Sequence, residues 1–277
     1  MKTEAKASEN EVKISTEPIF TKEEYPIVDG STATKPLAKA FEENFTGAID
    51  VEINHSMTHE SYLNLVDGGA DLILVVEPAE DDKSYAEEHH IELKYDKVVN
   101  EAFVFFVNSD NPVDSLTIDE IQKIYTGEIT NWKEVGGNDA EILAYQRPVN
   151  SGSQTAMENL VMQGKKLKEA EKEDIAESMF DIVDVVSDYD NGINSIGYSY
   201  YYFANTMYLG ENVKMLKVEG VAPNNSTIKA EKYPIMTAYY AVTRANEDNA
   251  NTLKLLDAML SPRGQKAAEE AGYVPVK

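Results

Sequence analysis

Gln146-Arg147-Pro148-Val149-Asn150-Ser151-Gly152-Ser153-Gln154-Thr155 sets a cation beside a glycine-flexed, hydroxyl-rich turn that opens a predicted helix. These are the parts of an anion cradle. A guanidinium offers a fork of donors that matches tetrahedral oxyanion geometry, and a helix N-terminus adds unpaired backbone N–H groups and the positive end of a dipole. Ser151 followed three residues later by Gln154 reads as a capping box, which would start the helix where the anion sits. A capped surface helix with its Arg in an ordinary ion pair carries the same local signature, so the flanking sequence has to decide.

Upstream, Glu141 to Tyr145 reads as a strand leading into the turn; downstream, Met157, Leu160 and Val161 give the helix its buried face. The same strand-turn-helix pattern occurs twice more. Tyr25 to Asp29 is a short strand, Gly30-Ser31-Thr32-Ala33-Thr34-Lys35-Pro36 a hydroxyl-rich turn, and Leu37, Ala40, Phe41 and Phe45 recur at helical spacing until Gly47. Ala48 to Asn54 alternates as a strand does, Asn54 to Glu60 is a polar turn holding Ser56 and Thr58, and Tyr62, Leu65 and Val66 face a helix that Gly68-Gly69 stops. Each turn alone is an N-cap. Three together with an Arg point to loops converging on one face of an α/β unit.

Leu72 to Val76 is a continuous apolar run, the pattern of a strand buried on both faces, with Glu77-Pro78 at the C-terminal end where open α/β sheets bind ligands. Phe103 to Val107 is a second buried strand, and Asn108 to Pro112 a loop suited to crossing between lobes. Thr117 with Glu120 forms a capping box, the stretch Gly164 to Glu177 looks solvated, and Tyr233 to Val242 reads as the return crossing. Two helices finish the chain, the second opened by Ser261-Pro262 and closed by Gly272. The expected organisation is a flexible tail over 1–19, lobe one over 20–107 plus 236–277, and lobe two over 108–235.

At 277 residues the chain has room for two such lobes. Its 25 Lys and Arg against 49 Asp and Glu leave a net charge of −24, which argues against nucleic acid or an anionic membrane as partner. An acidic protein still binds an anion, because surface charge is screened over about 8–10 Å while cleft donors act at contact. With no Cys, neither a disulfide framework nor a thiolate metal site is available, and no metal or cofactor is expected. No run approaches the ~20 apolar residues of a membrane span, and the polar start lacks the apolar core of a signal peptide.

Asp29 to Leu37, then Leu116-Thr117 through Tyr125-Thr126-Gly127-Glu128-Ile129-Thr130-Asn131-Trp132 and Val135-Gly136-Gly137, then Arg147 to Ser153, resemble the phosphate-binding protein family of ABC transporters. The resemblance runs in order from Tyr25 to Val276. It implies an α/β, two-lobed periplasmic-binding-protein-like fold of type II, each lobe a mixed sheet flanked by helices, closing on dehydrated phosphate between the lobes. It implies an extracytoplasmic monomer that serves a membrane-embedded permease, often with a lipid anchor on a Cys, a residue type this chain lacks. By position, Ser31, Thr32 and Thr58 would bind from lobe one, and Arg147, Ser151, Gly152 and Ser153 from lobe two. Glu77 falls where the family places an Asp, so it would accept the O–H of hydrogen phosphate and turn sulfate away. Two positions depart from the pattern: Glu stands for Asp at 77, and Val149 occupies the place of an Asp that restrains the Arg.

Those departures leave room for another small anion or polar ligand, or for a sensor that has lost its ligand. An enzyme acting on phosphoesters is the other class. No nucleophile elbow, phosphate loop or dinucleotide fingerprint is present to support it. His55, His59 and Glu60 lie at helical spacing but in the wrong order for a zinc-protease motif.

Overall fold

The first strand, β1 (Val28–Gly30), is three buried residues, and a 3-10 turn (Thr32–Thr34) runs from it directly into α1 (Lys35–Thr46). Leu37, Phe41 and Phe45 recur every four residues on the buried face of α1. Gly47 ends it in the left-handed region, at φ 73°, where a Cβ would be strained. The structure, a computed structural model, describes residues 17–48, 50–188, 192–207 and 212–276. Of the expected tail, residues 1–16 lie outside the described part. Residues 17–19 are tied down: Ile19 N–H donates to Phe45 O at 2.8 Å, and Arg263 donates to Glu17 O at 2.6 Å.

The chain continues as α2 (Thr58–Val66), β2 (Leu72–Val75), α3 (Glu80–Glu88), β3 (Leu93–Asn108), β4 (Ser115–Leu116), α4 (Ile118–Thr126), β5 (Leu143–Ala144) and α5 (Gly152–Ala156). It then forms α6 (Met179–Ser187), β6 (Ser195–Tyr200), β7 (Val213–Met215), β8 (Lys217–Val218), α7 (Asn225–Lys229), β9 (Met236–Arg244), α8 (Ala250–Leu260), α9 (Pro262–Glu270) and β10 (Val274–Pro275). A π-helical turn, Met157–Met162, extends α5. The main sheet runs β1-β2-β9-β3-β6-β5, with β7 and β10 also on β3. The β1–β2 and β5–β6 pairs are parallel, and every pairing of β3 is antiparallel.

The long strand β3 belongs to both halves of this sheet. Leu93 to Ala102 pair with β9, and Phe103 to Val107 pair with β6. The change of partner thus falls inside the strand, ahead of the 108–112 loop that reads as a crossing in the sequence. Side chains of both halves meet in one buried cluster, in which Phe103, Phe105, Tyr125 and Tyr198 pack ring against ring. Trp132 is 1% exposed and donates from Nε1 to Asn194 O at 2.9 Å, so its large apolar area is buried without stranding its N–H.

The expected strand Ala48 to Asn54 does not form among its described residues. Val51 and Ile53 pack against the core, but the segment makes one backbone bond to β1, Asn54 N–H to Val28 O at 2.9 Å. At Ser56 a side chain substitutes for the ladder: Asp29 Oδ1 accepts from Ser56 N–H at 2.9 Å. The capping box at α4 forms as its spacing dictates, with Thr117 Oγ1 and Glu120 exchanging bonds.

Candidate functional site

Two helix starts are joined on the β1 side by one buried carboxylate. Asp29, 1% exposed, accepts from Gly30 N–H at 2.7 Å, Ser56 N–H at 2.9 Å and Asn64 Nδ2 at 2.8 Å. Burial pushes its carboxyl up, yet these donors outweigh burial and hold it below the usual carboxylate range. The loop before α1 and the loop before α2 are thereby fixed side by side. Gly30 makes this possible, since a Cβ there would stand 2.8 Å from both Leu74 O and Thr34 Oγ1. The first N–H groups of a helix have no partner within it, and the residues at these two starts, Ser31, Thr32 and Thr58 among them, line one cleft.

Across from them, β5 leads to Arg147, which is 8% exposed. Its Nε donates to Ala176 O at 2.7 Å and one terminal nitrogen to Glu177 O at 3.1 Å; the other makes only a long contact of 3.5 Å with Ser153 Oγ. Burial lowers the guanidinium pKa, a sign that its charge is poorly solvated. Among the described residues no carboxylate lies within ion-pair distance of it. Val149, where the family pattern has a restraining Asp, is 79% exposed, and the two carbonyls aim the guanidinium instead.

The expected capping box at α5 is half made. Ser151 Oγ accepts from Gln154 N–H at 3.3 Å, but the Gln154 side chain turns away and accepts from Arg147 N–H at 3.1 Å and from the Tyr198 hydroxyl. Tyr200 OH donates to Gly152 O at 2.6 Å. The tyrosine strand β6 therefore holds the Arg147 loop in place from behind.

Ser31, Thr32 and Thr58 on one wall and Arg147, Ser151, Gly152 and Ser153 on the other enclose a cleft of about 450 Å³. The walls touch at its edge. A Cβ on Gly152 would lie 2.7 Å from Thr58 Oγ1 and 3.1 Å from Val76 Cγ2, and Asn150 Nδ2 donates to Asp81 at 2.8 Å. Seven of the expected positions thus converge.

Glu77 does not converge with them. Its carboxylate accepts from Thr237 Oγ1 at 2.9 Å and Tyr240 OH at 3.0 Å, both on β9, and it is not part of the cleft wall. Two hydroxyls of the neighbouring strand each take one acceptor site on its two oxygens, so the expected reading of a phosphate O–H by Glu77 has no support from the cleft wall. Several wall residues have no motif to announce them. Met57 comes from the α2 start, Met179 and Phe180 from α6, and Glu177 from the end of a stretch that reads as plain solvated sequence, next to the buried Ala176 whose carbonyl also holds Arg147.

His59 Nδ1 bonds Asp82 Oδ1 at 2.6 Å, and Asp82 also accepts from Ala79 N–H at 2.7 Å. Burial pushes the Asp82 carboxyl up against the pull of these two donors. Among the described residues no group of three or more His, Asp and Glu side chains is placed to hold a metal ion, and no helix is long and apolar enough to cross a membrane.

Known proteins are similar to this chain in sequence and fold. The phosphate-binding protein PstS of Bacillus subtilis is 28% identical over 258 residues, 90% of this chain and 80% of that protein. PstS of Borreliella burgdorferi is 30% identical over 182 residues, 64% of each. A Clostridium perfringens crystal structure, named as a phosphate ABC transporter substrate-binding protein with bound phosphate, superposes with a TM-score of 0.74 at 26% identity, covering 90% of this chain and 98% of that one. An ABC-type phosphate transport receptor from Vibrio cholerae has the same fold, with a TM-score of 0.69 at 21% identity over 90% and 98% of the two chains. The family model described as a PBP superfamily domain matches residues 28–262, nearly the whole described chain, and with two walls of helix starts facing each other across a shared strand, the chain belongs to the PBP superfamily.

Proposed function

We propose that the chain captures inorganic phosphate in this cleft and delivers it to an ABC permease. The observation that carries the reading is Arg147: a buried guanidinium with carbonyl partners, no carboxylate partner among the described residues, and one terminal nitrogen with only a long contact to Ser153 Oγ, in a cleft that Ser31, Thr32 and Thr58 also line. An enclosed cation without a counterion is costly until an anion arrives, and phosphate then replaces its water with charge-assisted bonds. The PstS names of the relatives support the choice of anion.

In this reading Ser31, Thr32 and Thr58 bind from lobe one, and Arg147, Ser151, Gly152 and Ser153 from lobe two. Lobe one comprises 20–102 with 236–277 and lobe two 103–235, the division moved to where β3 changes partner. The protein works as a monomer outside the cytoplasm beside its permease, with no nucleic-acid partner. It binds and releases without chemistry on the ligand.

Isothermal titration of exhaustively dialysed protein with phosphate tests this directly. One-site saturation is expected; no heat at any concentration up to the millimolar range removes the proposal. A second outcome follows from the close approach of the two walls. Gly152→Ala places a methyl against Thr58 and Val76, so the walls must part by several tenths of an ångström. Phosphate affinity should fall about tenfold, since a small displacement of positioned donors is expensive, while the thermal midpoint changes by no more than a few degrees. A variant with unchanged affinity would show that the walls do not close on the ligand at this point.

A further inference from the structure

We propose that the cleft also accepts phosphate monoesters whose substituent is apolar, an aryl or short alkyl group lying against Met57, Val149 and Phe180. This rests on the phosphate reading of the Arg147 cradle and adds what lies beyond one of the phosphate oxygens.

Space is the first argument. Four oxygens around phosphorus need on the order of four waters' share of volume, roughly 120 Å³, against a cleft of about 450 Å³. This space remains although the walls already approach at one edge, where a Cβ on Gly152 would lie 2.7 Å from Thr58 Oγ1 and Asn150 bonds Asp81. A volume of this size falls in the range that holds small organic ligands.

The wall of that excess space is the second argument. The large hydrophobic residues exposed among the described ones are Ile27, Met57, Tyr95, Val149, Phe180 and Leu253. Half of them, Met57 at 63%, Val149 at 79% and Phe180 at 38% exposure, line this single cleft, although they come from three separate segments on its two walls. Singly scattered apolar residues are ordinary surface; a convergent set beside a cation marks a binding site. Phe180 is held with its ring edge to face against Phe203, centroids 5.1 Å apart, so the aromatic face is fixed at the cleft. Met57 has φ 72° and ψ 170°, a region that is nearly glycine's alone. A strained position that carries a long apolar side chain and leaves it exposed is not explained by core packing.

Charge fits as well. A monoester keeps three oxygens for Arg147 and the helix starts, and its ester oxygen can face the apolar wall. Glu77 is bonded to Thr237 and Tyr240 and is not part of the cleft wall, so its carboxylate does not stand against an ester oxygen. Glu60 and Glu177, the carboxylates of the wall, are exposed.

The test is calorimetry of the full chain with inorganic phosphate and with phenyl phosphate, repeated on the double variant Met57→Gly, Phe180→Ala. Met57→Gly relieves backbone strain and Phe180 is already part-exposed, so the variant should fold; its circular dichroism confirms that before titration. The wild-type chain is expected to bind phenyl phosphate about tenfold tighter than phosphate, and the double variant should bring the ratio of the two affinities down to about one. Phosphate binding with phenyl phosphate no tighter would overturn this inference and leave the phosphate reading standing. A preference that survives in the double variant would overturn the placement of the substituent. Binding of neither ligand would remove the phosphate reading itself.

Discussion

Arg147→Ala is expected to weaken phosphate binding by two to three orders of magnitude while the chain still folds. Truncating one partner of a buried, hydrogen-bonded charge pair costs about 3–4 kcal/mol, and here the other partner is a multiply charged anion facing no second buried cation among the residues of the wall. The fold has less to lose. Glu177 lines the cleft, where water can replace its lost donor, and although the buried Ala176 carbonyl loses its partner, the desolvation that lowers the Arg147 pKa is relieved. The loop itself is held by the Arg147 backbone N–H, which bonds Gln154 and Tyr198 and survives the substitution. Arg147→Lys separates charge from geometry: a lysine keeps the positive charge but cannot bond Ala176 and Glu177 and still present a fork to the ligand. Its affinity should fall between those of wild type and Arg147→Ala. Calorimetry and a thermal melt of each variant decide the matter, and an Arg147→Ala chain that binds phosphate as before would take away the observation on which the functional reading stands.

What the sequence discloses about this site divides by the range of the interactions involved. The Arg147 turn, the Ser31-Thr32 turn and the Thr117–Glu120 cap are legible because their partners lie within a few residues, where composition and spacing carry the geometry. Gln154 has the right spacing for a capping box, but the Tyr198 hydroxyl, from a strand 44 residues away, claims its side chain. Glu77 stands at the strand end that binding sites favour, yet the direction of its side chain is decided by Thr237 and Tyr240, 160 and 163 residues distant. The restraint of Arg147 passes to backbone carbonyls, which have no residue code at all. The change of partner inside β3 is equally silent. Val98 to Val107 are buried throughout, whichever neighbour they pair with, so the chain needs neither glycine nor proline where one half of the sheet gives way to the other.

At that same change of partner lies Glu101, and its substitution by Gln is expected to make the protein markedly more stable in alkali. Glu101 is 2% exposed, with its carboxylate accepting from Ala102 N–H at 2.8 Å and from Tyr202 N–H at 3.2 Å. The groups that face it are tyrosines from each packed element, Tyr200, Tyr201 and Tyr202 at and after the end of β6, Tyr239 on β9, and Tyr273 before β10. Burial pushes its pKa from 4.5 up to about 8, against the pull of the backbone donors. The unfolded chain loses this proton near 4.5 and the folded chain near 8, so between those values the native state holds the extra proton. Stability from this group is therefore complete below about pH 4.5, declines by about 1.4 kcal/mol per pH unit through the window, and is gone above about pH 8. The whole effect is on the order of 4–5 kcal/mol, a large share of the 5–15 kcal/mol that holds an ordinary domain together. Glutamine keeps an acceptor for the Ala102 and Tyr202 N–H groups and never ionises. Urea unfolding of both proteins at pH 5, 7 and 9 should show wild type falling away from Glu101→Gln as pH rises, with the gap widest at pH 9. Other titrating groups, Asp29 among them, move both proteins alike and cancel in the comparison. Parallel profiles would mean that Glu101 is ionised in the native state throughout, its charge held by the two N–H donors despite its burial beneath five tyrosines.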